Sequence, residues 1–231
     1  MKYIDIHSHL NLSEFDHDRD AIIAQMKEND ITTIVVGVDK ETSSSAVAIA
    51  QKYEHVFACI GQHPTDNADE IFDLAFYESL ASDAKVVAIG ECGLDYYRSK
   101  ENEAESKEKQ KILFKKQIEL ALAHTLPLMV HARPSKGSMD AYEDVLEILS
   151  SYSILHSSKL YGNVHFFVGD IAIAERFLAL GFTMSFTGVL TFSSDYDDVV
   201  RFLPLSNILS ETDAPFVAPV PYRGRRCEPG H

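Results

Sequence analysis

Tryptophan is absent from the 231-residue chain, and cysteine is scarce, with three residues that lie far apart. The cysteines are odd in number and form no CxxC pair, which argues against a disulfide framework and a thiolate zinc site and favours a reducing compartment. Only 11 glycines and 8 prolines accompany 45% hydrophobic residues, so the chain is neither collagenous nor of low complexity. We therefore expect a globular, cytoplasmic protein with a buried core.

Long apolar runs and positive charge are also in short supply. Charged residues interrupt the first twenty positions, which argues against a signal peptide, and no apolar run approaches the roughly 18 residues of a membrane span. The 35 acidic and 21 basic side chains give a formal net charge of −14. Because such a surface repels a polyanion at long range, any phosphate group has to be recognised by a local cluster of cations. No membrane partner is expected.

Eight short runs of β-branched or apolar residues recur along the chain, and helix-like segments separate most of them. The runs are Tyr3–Ile6, Thr32–Val36, Val56–Ile60, Val86–Ile89, Leu128–Val130, Val164–Val168, Phe182–Phe186 and Asn207–Leu209. About 29 residues fall to each repeat, which matches a βα unit of roughly 30 residues. The pattern predicts an α/β fold with one domain over residues 1–231, a (β/α)8 TIM-type barrel; a doubly wound open sheet is the alternative.

Side chains that can bind a metal stand where the predicted strands end. They are His7, His9, Glu91, His131, His165 and Asp213. In a barrel the carboxyl ends of the strands share one mouth, so residues far apart in sequence meet there. His7 and His9 are two residues apart and therefore share a face of the first strand. Four imidazoles and two carboxylates exceed the needs of one tetrahedral ion, which indicates a centre with two divalent ions bridged by a carboxylate.

Each of these residues has a plainer interpretation when it is taken alone. A lone H-x-H string is a common polar strand end, and a single histidine at a core boundary is usually just hydrogen-bonded. Glu91 and Asp213 have the character of ordinary capping carboxylates. The conjunction of all six at the ends of one set of strands favours the metal centre. His63 follows the third strand at the same mouth and is a candidate for substrate contact.

Three arginines are candidates for binding phosphate at this mouth. Arg98 follows the fourth strand, Arg133 lies two residues past His131, and Arg223 begins a basic cluster after the eighth strand. Guanidinium groups pair with phosphate oxygens through parallel hydrogen bonds. The alternative for the cluster at Arg223 is a solvated basic tail.

Longer strings surround these residues along nearly the whole chain. They include Asp5-Ile6-His7-Ser8-His9-Leu10, Gly61-Gln62-His63-Pro64, Gly90-Glu91-Cys92-Gly93-Leu94-Asp95-Tyr96, Val130-His131-Ala132-Arg133 and Glu211-Thr212-Asp213-Ala214-Pro215. Together they resemble the TatD-like metal-dependent hydrolases, also called TatD-family deoxyribonucleases, of the amidohydrolase-like superfamily. The G-E-x-G-L-D-Y and E-T-D-A-P strings are specific to that resemblance, whereas H-x-H is not.

The resemblance implies a barrel hydrolase with two divalent ions, Mg²⁺, Mn²⁺ or Zn²⁺, that cleaves phosphodiester bonds of nucleic acid. One ion is then held by His7, His9, Glu91 and Asp213, and the other by the bridging Glu91 with His131 and His165. Glu91 and Asp213 become the catalytic carboxylates, with Asp213 as the base that takes a proton from the attacking water. The substrate implied is single-stranded DNA, degraded in the manner of a 3′–5′ exonuclease. We expect the protein to be a monomer.

Two positions depart from the pattern of the resembling family, because Val168 stands at a usual serine and Cys227 at a usual asparagine. We also expect the C-terminal closing helix of the barrel to be missing. One alternative function is an amidohydrolase acting on a small ester, an amide or an aminoacyl-tRNA ester. Many such barrels bridge their ions with a carboxylated lysine, and the absence of lysine beside Glu91 favours the phosphodiesterase. The other alternative is a non-catalytic metal-binding protein.

Overall fold

The computed structural model describes residues 2–65, 71–98, 103–156 and 160–231. Within these ranges, eight parallel strands follow one another around the sheet in sequence order. The strands are β1 (Tyr3–Ser8), β2 (Ile31–Val36), β3 (Val56–Ile60), β4 (Val86–Asp95), β5 (Leu128–Arg133), β6 (Gly162–Val164), β7 (Thr183–Phe186) and β8 (Ile208–Ser210).

Helices alternate with these strands, as βα units require. They are α1 (Arg19–Glu28), α2 (Lys40–Lys52), α3 (Leu74–Ala81), α4 (Glu103–His124), α5 (Asp140–His156), α6 (Ile171–Ala179) and α7 (Asp197–Phe202). Short 3₁₀ turns lie at Ser13–Phe15, Gly188–Thr191 and Leu205–Asn207. None of the helices in the described ranges is both long enough and apolar enough to cross a bilayer.

Carboxylates at the helix starts show how the sequence sets these boundaries. The Asp39 side chain precedes α2 and accepts a hydrogen bond from the Thr42 backbone N–H at 2.7 Å. Asp170 does the same for the Ile173 N–H at the start of α6, at 2.9 Å. Because the first turn of a helix has backbone donors without intrahelical partners, these caps fix where each helix begins.

The first and last strands meet and nearly close the sheet. A parallel bridge joins Ser8 to Ala214, just beyond β8. The buried Asp5 carboxylate accepts hydrogen bonds from the Thr212 N–H at 2.9 Å and the Thr212 hydroxyl at 2.8 Å. The predicted (β/α)8 barrel is confirmed, and the doubly wound open sheet is wrong, because an open sheet leaves its outer strands unpaired.

Two sets of apolar side chains make up the core. The larger set packs the helices against the outside of the barrel. The smaller set takes one side chain from each of the five strands β1 to β5 and consists of Ile6, Val36, Cys59, Ala88 and Met129. One residue per strand is the arrangement that fills a barrel interior. The metal-binding side chains at the mouth therefore lie above a layer of packed apolar side chains.

Four strands differ from the prediction at the mouth, and two of them, β1 and β5, simply run two and three residues further, to Ser8 and Arg133. The prediction ends the fourth strand at Ile89, but β4 continues to Asp95. Gly93, with φ of 132°, allows this, because a Cβ there would overlap the backbone carbonyl of His131 on β5. The predicted sixth strand, Val164–Val168, is placed too late. Phe166 has φ of 46°, a left-handed conformation through which a strand does not continue.

Candidate metal centre

Glu91 lies at the centre of a largely buried cluster of four imidazoles. Its Oε1 is 2.9 Å from His131 Nδ1 and 2.9 Å from His165 Nε2. Its Oε2 is 3.5 Å from His7 Nε2 and 3.6 Å from His9 Nε2. One carboxylate therefore faces two histidine pairs, one through each oxygen.

The first pair comes from the end of β1 and converges with a second carboxylate. His7 Nε2 and His9 Nε2 are 3.1 Å apart, and Asp213 Oδ1 lies 3.8 Å from the former and 3.4 Å from the latter. Asp213 is brought here by the turn after β8, because its N–H donates to the His7 carbonyl at 2.9 Å. Asp213 has φ of 54°, a conformation that costs a non-glycine residue energy and that the surrounding contacts impose.

The second pair comes from β5 and from the residue that follows β6. His131 Nδ1 and His165 Nε2 are 3.3 Å apart. His165 is held beside β5 because its N–H donates to the Val130 carbonyl at 2.9 Å. The two pairs touch as well, since the rings of His7 and His165 stack with centroids 3.9 Å apart. The structure thus brings together all six side chains that the sequence singled out.

Two further carboxylates lie behind the second pair. Asp95 Oδ2, on the extended end of β4, is 3.2 Å from His131 Nε2. Glu211 Oε1, after β8, is 3.7 Å from His165 Nδ1, which is an ion-pair distance rather than a hydrogen bond. Sequence reasoning gave neither residue a role of its own. For Asp95 the signal was its spacing, because it follows Glu91 by four positions in a strand and therefore shares its face.

The pKa values of these groups follow from burial and mutual charge. Burial would raise the pKa of Glu91, but the charge of His165 and the hydrogen bonds from His131 and His165 hold it well below its ordinary value. Burial and the neighbouring His165 lower the pKa of His7. Burial opposes a proton on His165 too, but Glu91 and then Glu211 raise its pKa well above the ordinary value. Burial is likewise outweighed at His9, by Asp213 and Glu91, and at His131, by Asp95 and Glu91, so their pKa values are raised too. A cation bound here therefore has to compete with protons on these imidazoles.

The nitrogen and oxygen atoms of this cluster are arranged better for binding divalent cations than for hydrogen bonding to one another. His7 Nε2 and His9 Nε2 both aim at the same Glu91 and Asp213 oxygens, and a neutral imidazole pair cannot satisfy all of these contacts. The ligating atoms of His7, His9 and Glu91 lie within 4.8 Å of one another, and so do those of Glu91, His131 and His165. Imidazole nitrogens and carboxylate oxygens are the usual ligands of first-row divalent metals.

A cavity of about 410 Å³ opens over this cluster at the barrel mouth. His63, Arg98 and Arg133 line it, together with Glu91 and Asp213. His63 is buried and its Nε2 lies 3.6 Å from Glu91 Oε1, and burial lowers its pKa to about 3, so it is a neutral neighbour of the cluster.

Arg223, the third candidate for phosphate binding, lies outside the lining of this cavity. Its guanidinium donates to the Ala218 carbonyl at 3.0 Å and stacks on the Phe192 ring at 4.0 Å. The nearby Arg226 forms a two-bond ion pair with Asp18, at 2.9 and 2.6 Å. The basic cluster after β8 is thus partly engaged in internal contacts, which a sequence motif does not reveal.

The chain is similar to known metal-dependent hydrolases over almost its whole length. The model of the family described as TatD-related DNase matches residues 4–231. The uncharacterized metal-dependent hydrolase YabD of Bacillus subtilis is 37% identical, covering 98% of this chain and 86% of its own. The 3′–5′ ssDNA/RNA exonuclease TatD of Cronobacter sakazakii is 34% identical, covering 97% of this chain and 84% of its own. The crystal structure of the Escherichia coli TatD homologue YjjV superimposes with a TM-score of 0.85 at 28% identity, covering 98% and 85% of the two chains.

Proposed function

Since the chain belongs to the TatD-related DNase family of metal-dependent hydrolases, we propose that it cleaves phosphodiester bonds of nucleic acid at a centre of two divalent metal ions. The observation that carries this proposal is the position of Glu91. Its two oxygens face different histidine pairs, at 2.9 Å on one side and 3.5–3.6 Å on the other. A carboxylate shared in this way is what a bridged pair of ions requires.

Six side chains are the proposed ligands of the two ions, Mg²⁺, Mn²⁺ or Zn²⁺. The first ion is assigned to His7, His9, Glu91 and Asp213, and the second to Glu91, His131 and His165. Bound ions of this kind act as Lewis acids on phosphoryl oxygens and make water acidic enough to attack near neutral pH.

The protein's own carboxylate Asp213 is the proposed general base. Burial would raise its pKa, but the hydrogen bond from His9 and the charge of His7 lower it, so the group is ionised at neutral pH. It lines the cavity in which we propose that the substrate phosphate binds. Asp213 can therefore accept the proton that the attacking water loses.

Arg98 and Arg133 are the proposed phosphate-binding residues. Arg98 is anchored by Asp95, which accepts its backbone N–H at 2.9 Å, while its side chain is half exposed. The Arg133 guanidinium stacks on the Tyr97 ring at 4.1 Å, which orients it at the cavity edge. Two local cations give an acidic protein of net charge −14 a place where a polyanion can bind, and we expect that binding to weaken with salt.

Single-stranded DNA degraded from its 3′ end is the substrate we propose. The support is the Cronobacter sakazakii relative, which is named as a 3′–5′ ssDNA/RNA exonuclease and is 34% identical to this chain. The small mouth cavity suits the end of a single strand better than a duplex, whose width exceeds any one pocket of this size.

The test is digestion of end-labelled single-stranded DNA by protein stripped of metal and resupplied with Mg²⁺, Mn²⁺ or Zn²⁺ one at a time. We expect stepwise shortening with at least one metal, and its loss in Glu91→Ala. Glu54→Ala is the matched control, because Glu54 is an exposed carboxylate before the amino end of β3 and so faces away from the mouth.

Two outcomes would overturn the proposal. Hydrolysis of a panel of small esters or aminoacyl-tRNA without DNA cleavage would move the protein to the alternative hydrolase class. Digestion by Glu91→Ala at the rate of the wild type would show that the reaction does not use this centre. A circular single-stranded substrate, run in parallel, separates attack at an end from internal cleavage.

A further inference from the structure

Two kinds of side chain line the cavity over the metal centre. Arg98 and Arg133 come from the carboxyl ends of β4 and β5. The apolar side is made of Phe166, Val168, Val189 and Tyr196, which come from the chain after β6 and from the segment between β7 and α7. We propose that this apolar side binds the nucleobase of the terminal residue of a nucleic-acid strand, while its phosphate lies at the arginines; the inference rests on the proposed function.

Phe166 is held in place by an unusual backbone conformation. Its φ is 46°, and its N–H donates to Glu211 Oε1 at 2.5 Å. The Glu211 side chain is fully buried, and its other oxygen accepts the Ser185 hydroxyl at 2.6 Å. An aromatic residue in the left-handed region is costly and persists only when its surroundings impose it. The imposed conformation here places Phe166 in the lining of the cavity instead of continuing β6.

The rest of the apolar side is equally well supported. The Val168 N–H donates to the hydroxyl of Tyr142 at 2.9 Å, and Tyr142 is fully buried in the core. Val189 belongs to the 3₁₀ turn Gly188–Thr191 and is itself buried. Tyr196 is half-buried and precedes α7. A surface fixed by the core in this way needs little ordering when a ligand packs on it.

Size and polarity select the ligand. A volume of about 410 Å³ is near the lower end of the roughly 300–1,000 Å³ typical of ligand pockets, which suits one nucleotide rather than a length of strand. The apolar side offers aromatic and branched surface to the face of a base and few groups that could read its edge. Because every base has such a face, we expect the presence of a base to matter more than its identity.

The first test compares three single-stranded oligonucleotides: one intact, one with a tetrahydrofuran abasic residue at the 3′ terminus, and one with it at the 5′ terminus. We expect kcat/KM to fall about 5- to 100-fold, the range of a base–aromatic contact, when the 3′-terminal base is lost, and to change little when the 5′-terminal base is lost. Equal rates for all three would overturn this inference and leave the nuclease proposal standing. Absence of cleavage with every metal would overturn the nuclease proposal and this inference together.

Variants locate the effect within the cavity. Tyr196→Ala removes aromatic surface from the apolar side, and Val168→Asp places a charge there. Both should reduce the preference for the intact terminus. Phe202→Ala is the matched control, because Phe202 is an exposed aromatic on α7 and does not line this cavity. An unchanged preference in correctly folded Tyr196→Ala and Val168→Asp would contradict the assignment.

A binding measurement supplies a readout that does not depend on turnover. Calorimetric titration of the wild-type protein with deoxyadenosine monophosphate and with 2-deoxyribose 5-phosphate compares the same phosphate with and without a base. We expect the nucleotide to bind at least about fivefold more tightly. Equal Kd values would overturn the inference even if the protein digests DNA.

Discussion

The two histidine pairs around Glu91 differ in what lies behind their imidazoles. In the pair from β5 and β6, His131 faces Asp95 at 3.2 Å and His165 faces Glu211 at 3.7 Å. In the pair from β1, His9 Nδ1 lies 3.0 Å from the backbone carbonyl of Val36. His7 Nδ1 and His165 Nδ1 both lack a hydrogen-bond partner among the described residues, but His165 Nδ1 has the Glu211 carboxylate within ion-pair distance.

This difference affects how strongly each histidine pair is expected to bind a metal ion. A carboxylate behind an imidazole fixes the ring and makes its other nitrogen a stronger donor to a metal. A backbone carbonyl fixes the ring but contributes no net charge. We therefore expect side-chain substitutions behind His131 and His165 to change metal affinity, and substitutions behind His9 to change it little. The first pair gains its negative charge directly, from Asp213.

Glu91→Gln changes the residue that the two histidine pairs share, and we expect it to have the largest effect on metal binding and on the rate. Loss of the negative charge from the shared carboxylate should weaken the binding of both ions in parallel. The rate should fall about a thousandfold, because such ions stabilise the transition state by several kcal/mol and about 1.4 kcal/mol corresponds to a factor of ten. Metal content after dialysis and single-turnover rates measure the two effects. Retention of one ion at full affinity would show that Glu91 serves only one pair.

Asp95→Asn tests the second pair alone. Removing the charge behind His131 should weaken one ion about 10- to 100-fold and leave the other near its wild-type affinity. Calorimetric titration with Mn²⁺ or Zn²⁺ resolves the two events. Equal weakening of both ions would contradict the idea that Asp95 acts through His131 alone.

Glu211→Gln should weaken the same ion less than Asp95→Asn does, by about tenfold, because the ion-pair distance to His165 is longer. Glutamine keeps an oxygen for the Phe166 N–H, so the backbone beside the cavity should keep its conformation. The same titration measures the affinity. A larger loss than in Asp95→Asn would reverse the expected order of the two carboxylates.

Asn11→Ala addresses the first pair and should have the smallest effect on metal binding, below about threefold. The Asn11 amide donates to the Val36 carbonyl at 3.0 Å and to the Thr42 carbonyl at 2.9 Å, whereas His9 keeps its own contact with Val36. Stability should nevertheless fall by about 1 kcal/mol, because buried hydrogen bonds are lost. Urea denaturation and metal titration separate the two expectations, and a large loss of affinity would show that side chains tune this pair too.

Much of the fold could be predicted because most strands have a recognisable pattern in their own sequence. The strands β2 and β3 lie within one residue of their predicted bounds, since β-branched runs and flanking polar residues define them. The end of β4 and the position of β6 could not be predicted. The close approach of the β5 backbone requires glycine at position 93. Phe166 leaves the strand where the Glu211 carboxylate, after β8, accepts its N–H.

The sequence by itself determined the ligand types and the strand ends that carry them, because histidine and carboxylate positions are read directly and strands follow a short-range period. Only the tertiary structure decided which imidazole faces which oxygen of Glu91, that Asp95 and Glu211 stand behind the second pair, and that Arg223 lies outside the cavity. These facts depend on which strands become neighbours when the barrel closes. Contacts between residues tens of positions apart leave no local pattern in the chain.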